Sequence, residues 1–372
     1  MTLNPIPNLF NYLETLPPDW PGGYWWHLIA FAVIILTFVF AMVMGFIYIE
    51  RRGIGRFQVR LGPNRTGPFG VLQPVADAIK VLLKEDIIPA KGDKWVFWLA
   101  PVVAFVPVLM IFAVIPFQSG ALLADLNIGI LYVVAVSSVV AVGVFMAGWG
   151  SNNKYSLVGA MRDVAQLISY EIPLVLSIVG VVLIAGSLSM TEIVEAQSIP
   201  FILLQPLGFL IFILGALAEI NRTPFDLVEA DSEIVAGYNI EYSGMKFAMF
   251  FLAEYCEALA ISAIITTLFL GGWRGPLLPP FLWFLIKVFA VFFLIIWIRS
   301  TIPRLRIDQV MAFAWKCLLP LALINLLITG IQVLVWAEAL PWSIVFLNVA
   351  IMVGLVVLWS KFFKLGGGRV EV

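Results

Sequence analysis

Nine stretches of this chain stay apolar for about the twenty residues that a helix needs to cross a bilayer: 27–49, 96–117, 128–149, 156–186, 201–219, 244–270, 281–299, 313–337 and 341–363. In hydrocarbon, every backbone donor and acceptor must be satisfied within such a segment, so the runs are expected to be helices. The hydrophobic fraction of 62% and charged fraction of 12% lie far from the roughly 45–50% and about 25% of soluble domains. The expected fold class is all-α: a polytopic integral membrane protein with about nine transmembrane helices, forming one membrane domain over 1–372.

Charge sets the expected orientation. Seventeen Lys and Arg residues, from Arg51 to Arg369, fall in the loops after spans 1, 3, 5 and 7 and in the C-terminus, against Arg274 alone on the opposite side. By the positive-inside rule, the N-terminus is expected outside and the C-terminus in the cytoplasm, in a bacterial inner (plasma) membrane or an equivalent energy-transducing membrane. The first run has no basic segment before it and Glu50-Arg51-Arg52 after it, so it reads as a retained span and not a cleavable signal. On this reading 1–26 is a proline-rich external segment, 50–95 and 220–243 are cytoplasmic loops, and 364–372 is a flexible tail.

Cys256 and Cys317 lie in different runs, and the single histidine, His27, is at a membrane edge. Metal, iron–sulfur and haem sites need clustered Cys or His, so none is expected in this chain. It also lacks a phosphate-binding loop and a dinucleotide fingerprint, and no nucleic-acid partner is expected. The remaining chemistry belongs to carboxylates, arginines and a bound molecule.

Those groups concentrate in a few places. Ala218 to Gly244 carries Glu219, Asp226, Glu229, Asp231, Glu233 and Glu241 with a single Arg222, between two apolar runs. Arg52, Arg56 and Arg60 are four apart and would share a face on a continued helix; they read as a cytoplasmic anchor or as a basic wall for a partner or anionic headgroup. After a turn-rich segment, Gly62 to Gly70, Pro74 opens a short amphipathic helix to Glu85. It is too short to span and is expected to lie at the membrane interface or cover a cavity mouth. The fourth run contains Arg162, Asp163, Gln166 and Glu171, with Pro173 as a point where the helix can kink. Arg162 with Asp163 fits a structural ion pair near the cytoplasmic end, whereas Glu171 lies deeper, where carboxylates mark an ion or proton path. Glu254 and Glu257 in the sixth run are three apart on one face and are candidate proton carriers. Lys246 shares the sixth run with them, and Lys287 and Lys316 are weaker signals.

Several long segments, in order, resemble one family: ERRGIGRFQVRLGPNRTGPFGVLQPVADAIKVLLKED, SNNKYSLVGAMRDVAQLISYEI, AEINRTPFDLVEADSEIVAGYNIEYSG, FFLAEY, IRSTIPRLRIDQVM and WKCLLPL. The chain from about Glu50 to Lys364 is similar to the H subunit of proton-pumping NADH:quinone oxidoreductase, respiratory complex I, and to mitochondrial subunit 1. The resemblance implies a subunit at the junction of the redox arm and the membrane arm, with quinone as substrate in a chamber open to lipid. It places chamber residues at Glu50, Arg51, Arg60, Arg222, Asp226 and Arg299. Proton-path carboxylates fall at Glu171, Glu219, Glu229, Glu233, Glu241 and Glu254, and at Asp231, where the family usually has Glu. Flavin and iron–sulfur clusters are implied in partner subunits, the peripheral-arm subunits around the terminal cluster, with small membrane-arm subunits as further neighbours. Asp163 stands where a small residue is expected, and Ile307 where an aromatic precedes Asp308. A quinone-independent anchor of a related hydrogenase and a secondary cation/proton transporter are the alternatives from the residues themselves.

Overall fold

The computed structural model describes residues 23–119, 122–227, 237–336 and 341–362. The expected external cap, the glycine-rich tail, and Glu229, Asp231 and Glu233 of the acidic stretch lie outside the described residues. In chain order the helices are α1 (Gly23–Phe57), α2 (Gln73–Leu82), α3 (Lys94–Ile111), α4 (Gly129–Gly150), α5 (Lys154–Ala185), α6 (Met190–Ala196), α7 (Phe201–Leu204), α8 (Pro206–Glu219), α9 (Gly244–Phe269), α10 (Pro280–Thr301), α11 (Ile307–Val335) and α12 (Ser343–Phe362). Among the described residues, eight of these are long and apolar enough to cross a membrane. The protein is an all-helical, polytopic membrane protein.

The expected fifth span is the one that differs, and proline is the cause. Pro206 lacks a backbone N–H and excludes the helical conformation from the residue before it. Gln205 accordingly sits at φ −130° and ψ 62°, and the run divides into α7 and the fourteen-residue α8. The buried Gln205 side chain bridges the break by donating to Thr329 Oγ1 of α11 at 2.7 Å. Pro173, by contrast, is carried inside a continuous α5. Pro320 has a third outcome: α11 widens into a π turn over Ala314–Leu318. The Lys316 carbonyl, which a residue at 320 would ordinarily bond, accepts instead from Trp359 Nε1 of α12 at 3.1 Å.

Helices in lipid gain little from apolar attraction alone and associate through small residues and polar contacts. Here α3, α4 and α5 approach backbone to backbone. A Cβ on Gly143 would lie 2.6 Å from the Ala104 nitrogen, and one on Gly148 would lie 2.3 Å from the Ala160 Cβ. The most buried span is α9; its Ser262, Thr266 and Thr267 hydroxyls donate back to carbonyls one turn earlier, at 2.7, 2.8 and 2.8 Å, so these hydroxyls are satisfied within their own helix.

The two ends of the bundle have different chemistry. At one end, Lys287 of α10 donates to the carbonyls of Leu270, Gly272 and Arg274 at 2.8, 2.9 and 2.7 Å. All three ammonium donors cap the end of α9, so this intramembrane lysine is a fold element. At the other end, the segments after α1, α4, α8 and α10 meet. Leu305 N bonds the Pro224 carbonyl at 3.0 Å, and Asn153, which caps α5, donates to Glu241 at 2.8 Å.

Replacing Gly148 by Val is expected to overpack the α4–α5 contact and cost about 1–3 kcal/mol or more, read as a lower thermal midpoint of the solubilised protein.

Candidate functional site

The continuation of α1 past its apolar stretch organises the charged end. Because the helix runs to Phe57, Glu50 points into the bundle and Arg51, about 100° further round, points toward α2. Glu50 is 3% exposed. Arg299 of α10 pairs closely with its Oε1, and Arg222, from the segment after α8, lies 3.5 Å from the same oxygen. The Arg222 guanidinium stacks 4.5 Å from the ring centre of Tyr255 on α9, and the Tyr255 hydroxyl lies beside Glu50. Three separate elements therefore converge on one carboxylate of α1. Beside this cluster Asp226, 2% exposed, accepts from Arg304 Nη2 at 3.0 Å.

Arg51 belongs to a different environment. It pairs with Asp77 of α2, which also accepts from Gln73 at 3.0 Å; Gln73 in turn accepts from Thr66 at 2.7 Å. This relay fastens the turn-rich loop to α2 and sets the helix's rotation. Asp77 turns toward the bundle with Pro74, Ala78 and Val81, Lys80 and Lys84 stand at the exposed rim, and Leu72, Val75, Ile79 and Leu82 are exposed. Between α1, α2 and α9 lies a cavity of about 510 Å³, with Arg51, Asp77 and Lys84 on its polar wall and Ile47, Phe247 and Phe251 on its apolar one. The loop after α2 is tied to the start of α9: Lys246 pairs with Asp86 at 2.9 Å, and Ser243 Oγ donates to the Glu85 carbonyl at 3.1 Å.

The arginines spaced by four do not form one wall. Arg52 donates to the Tyr48 hydroxyl at 2.7 Å and lies over the Tyr48 and Phe69 rings, at 5.7 and 6.0 Å. Arg60, beyond the helix end, is exposed and bonds Gln58 at 2.6 Å. Arg60 thus stands apart from the Glu50 cluster that holds Arg222 and Arg299.

A group of acids lies deeper. Glu171 of α5 and Glu219 at the end of α8 are neighbours, with Ser137 of α4 against Glu219. Glu257 neighbours Glu219, Glu254 and Asp163. Asp163 turns inward toward Asn221 and Asp226, while Arg162, half-buried, occupies the adjacent face. Gln166, one turn below, donates to the Ala218 and Phe225 carbonyls and to Asn221 Oδ1, at 2.8, 3.0 and 3.0 Å. Tyr170 bonds the Val310 carbonyl at 2.8 Å. Glu241 sits at the start of α5, with Asn153.

Sequence reasoning did not single out Asp77, Tyr255, Asn221 or Tyr238 as site residues. Asp77 shows on a helical wheel only as one polar-face residue. Tyr255 sits in an apolar run beside Glu254, and its partners Glu50 and Arg222 are far away in sequence.

Glu50→Gln is expected to leave Arg222 and Arg299 with a much weakened partner; removing one member of a buried pair typically costs about 3–5 kcal/mol. Asp77→Asn breaks a half-exposed pair, worth about 0–1 kcal/mol. Denaturant titration of the two variants, or their relative yield of assembled protein, checks that order.

The NADH dehydrogenase family pattern matches residues 29–330. The H subunit of an NADH-quinone oxidoreductase from Dehalococcoides mccartyi is 65% identical over 351 residues, covering 94% of this chain and 99% of the relative. The corresponding H subunit of Brevibacillus brevis is 51% identical, covering 87% of this chain and 98% of its own. An H subunit of Geobacter sulfurreducens is 50% identical, covering 80% and 93%. Matches of this extent set aside the free-standing transporter and the hydrogenase anchor. The chain belongs to the H-subunit family of NADH-quinone oxidoreductase, and is a membrane subunit of complex I.

Proposed function

We propose that the cavity between α1, α2 and α9 is the lipid-side entrance of a quinone chamber, and that the buried acids behind it begin a proton path. The observation that carries this reading is the cavity itself. It has about 510 Å³, within the range of small-molecule sites, with aromatic and aliphatic side chains on one wall and Arg51 and Asp77 on the other. The exposed apolar residues of α2 suit contact with lipid tails at its rim. An apolar molecule with a polar head suits such a site: the chain or ring packs on Phe247 and Phe251, and the head meets charge.

Glu50, Arg51, Arg222, Asp226 and Arg299 form the chamber's charged end in this reading, with Arg60 at its exposed margin. Reducing a quinone to a quinol takes two electrons and two protons; the electrons come from a redox centre in a neighbouring peripheral subunit. Charge appearing on the quinone alters the balance around Glu50, where two guanidiniums already compete for one carboxylate. The loop bearing Arg222 and Asp226 is the element that can respond, because it contacts both the arginine cluster and, through Asn221, the deeper acids. Glu171, Glu219 and Glu254 then pass protons toward partner membrane subunits, with Glu229, Asp231, Glu233 and Glu241 as further stations of the same acidic stretch. The end of the bundle where the basic loops meet faces the cytoplasm, in a plasma membrane or its equivalent; the charge asymmetry supports this orientation.

A photoreactive quinone analogue is expected to label α1 or α9 in the assembled complex, with free quinone competing; labelling confined to other subunits overturns the chamber. Ala248→Phe, which fills the cavity, is expected to raise the KM for quinone several-fold with assembly unchanged. Glu254→Gln is expected to lower coupled quinone reduction and pumping in vesicles by at least about tenfold.

A further inference from the structure

Three buried acids at this end of the bundle differ in what meets them. Glu50 is met by Arg222 and Arg299, and Asp226 by Arg304. Asp163, 1% exposed, makes no ion pair among the described residues, and neither of its oxygens has a well-aligned hydrogen-bond partner among them; the Asn221 side chain lies alongside.

Contacts on either side of Asp163 fix where its carboxylate lies. One turn earlier on α5, Gly159 is pressed so closely on the 237–239 turn that an added Cβ would come within 2.6 Å of the Gly237 Cα, and Ser156 Oγ donates to the Tyr238 carbonyl at 3.1 Å. Nearly one turn later, Gln166 grips the Ala218–Phe225 segment. Asp163 is thus held between Tyr238 and the segment that carries Glu219 and Asp226. From the opposite side, Phe250 of α9 packs edge-on to the Tyr238 ring, with centroids 5.2 Å apart. Glu254 and Glu257 follow Phe250 by four and seven residues, on the same helix face. The buried faces of α5 and α9 therefore converge at Tyr238, and Asp163, Glu254 and Glu257 are all its charged neighbours.

We propose that Asp163 is a proton-carrying residue of the coupled reaction, joining the Asp226 end of the acidic segment to Glu257, Glu254 and Glu219. This rests on the reading of those acids as a proton path, and adds to it a carboxylate on α5 that would otherwise leave a gap between the arginine-bound Asp226 and α9. Each transfer breaks one O–H bond at the donor carboxyl and makes one at the acceptor; no electron moves. A carboxylate kept for structure at this depth is met by a cation, as Glu50 and Asp226 are. One placed among other acids and an amide is costly to retain for structure, and such positions mark proton or ion paths. The Asn221 amide alongside offers a donor to the carboxylate and an acceptor to the carboxylic acid, so it suits either protonation state.

The test compares Asp163→Asn, Asp163→Glu and Glu254→Gln in the assembled complex reconstituted in vesicles, with assembly followed by native electrophoresis. Asp163→Asn is expected to assemble normally and to lower coupled quinone reduction and proton uptake by at least about tenfold, while Asp163→Glu, which keeps the carboxyl, recovers most of both. Redox-induced infrared difference spectra of the wild-type complex are expected to contain a carboxyl stretch that Asp163→Asn removes and Asp163→Glu displaces. Wild-type pumping by Asp163→Asn, beside an impaired Glu254→Gln, overturns the role of Asp163 and leaves the path standing. Wild-type pumping by both overturns the path itself. Should Asp163→Asn fail to assemble, the infrared band decides through Asp163→Glu, and a spectrum identical to wild type overturns the proposal.

Discussion

A carboxylate at the end of the first membrane helix, sealed from water, is tolerable only if cations reach it in good geometry, because the desolvation of a buried ion costs several kcal/mol. Glu50 meets that condition with groups from three other places in the chain: Arg222 after α8, Tyr255 on α9 and Arg299 on α10. The demand for charge compensation thus fixes the mutual positions of four elements. It also places Arg222 against an aromatic face, where a guanidinium is stabilised. The orientation of the 222–227 segment follows, and with it the approach of Asp226 to Arg304.

On one side of that segment, the buried acids Glu50 and Asp226 are answered by arginine. On the other side, toward the middle of the bundle, acids neighbour acids, and the polar groups named beside them among the described residues include the neutral Ser137, Asn221 and Tyr238. Tyr238, in the turn before α9, is itself held far above the ordinary phenol range by burial and by the nearby Glu254 and Asp163 charges, so it stays a neutral hydroxyl able to donate and accept. The contrast between the two sides is the physical basis for the proposed division into a chamber that binds a charged or polarised head group and a region that moves protons. The same segment, Asn221 to Asp226, touches both groups, which is why the proposed coupling runs through it.

Much of the fold was legible from local pattern. Apolar length predicted the spans, because a helix in hydrocarbon has no alternative way to satisfy its backbone, and the turn-rich segment before Pro74 predicted a short helix too small to cross. The break at Gln205 was signalled by Pro206, yet the strong apolarity of 201–219 concealed it. Which way α2 faces was not legible: its wheel shows two faces, but only the Arg51–Asp77 pair decides that the Asp77 side turns toward α1. Lys287 was ambiguous for the same reason, since the three carbonyls that bind it come from a neighbouring helix end.

The sequence by itself determined that the chain is a helical membrane protein, that its basic residues gather in alternate loops, and that its candidate functional groups are carboxylates and arginines. These properties depend on composition, run length and side-chain type, which are local. Only the tertiary structure decided which acid meets which arginine, since Glu50 and Arg299 are brought together from opposite parts of the chain. It also decided that Asp163, which adjacency pairs with Arg162, turns inward: consecutive helical residues point about 100° apart, and the glycine contact with Gly237 sets which of the two is buried.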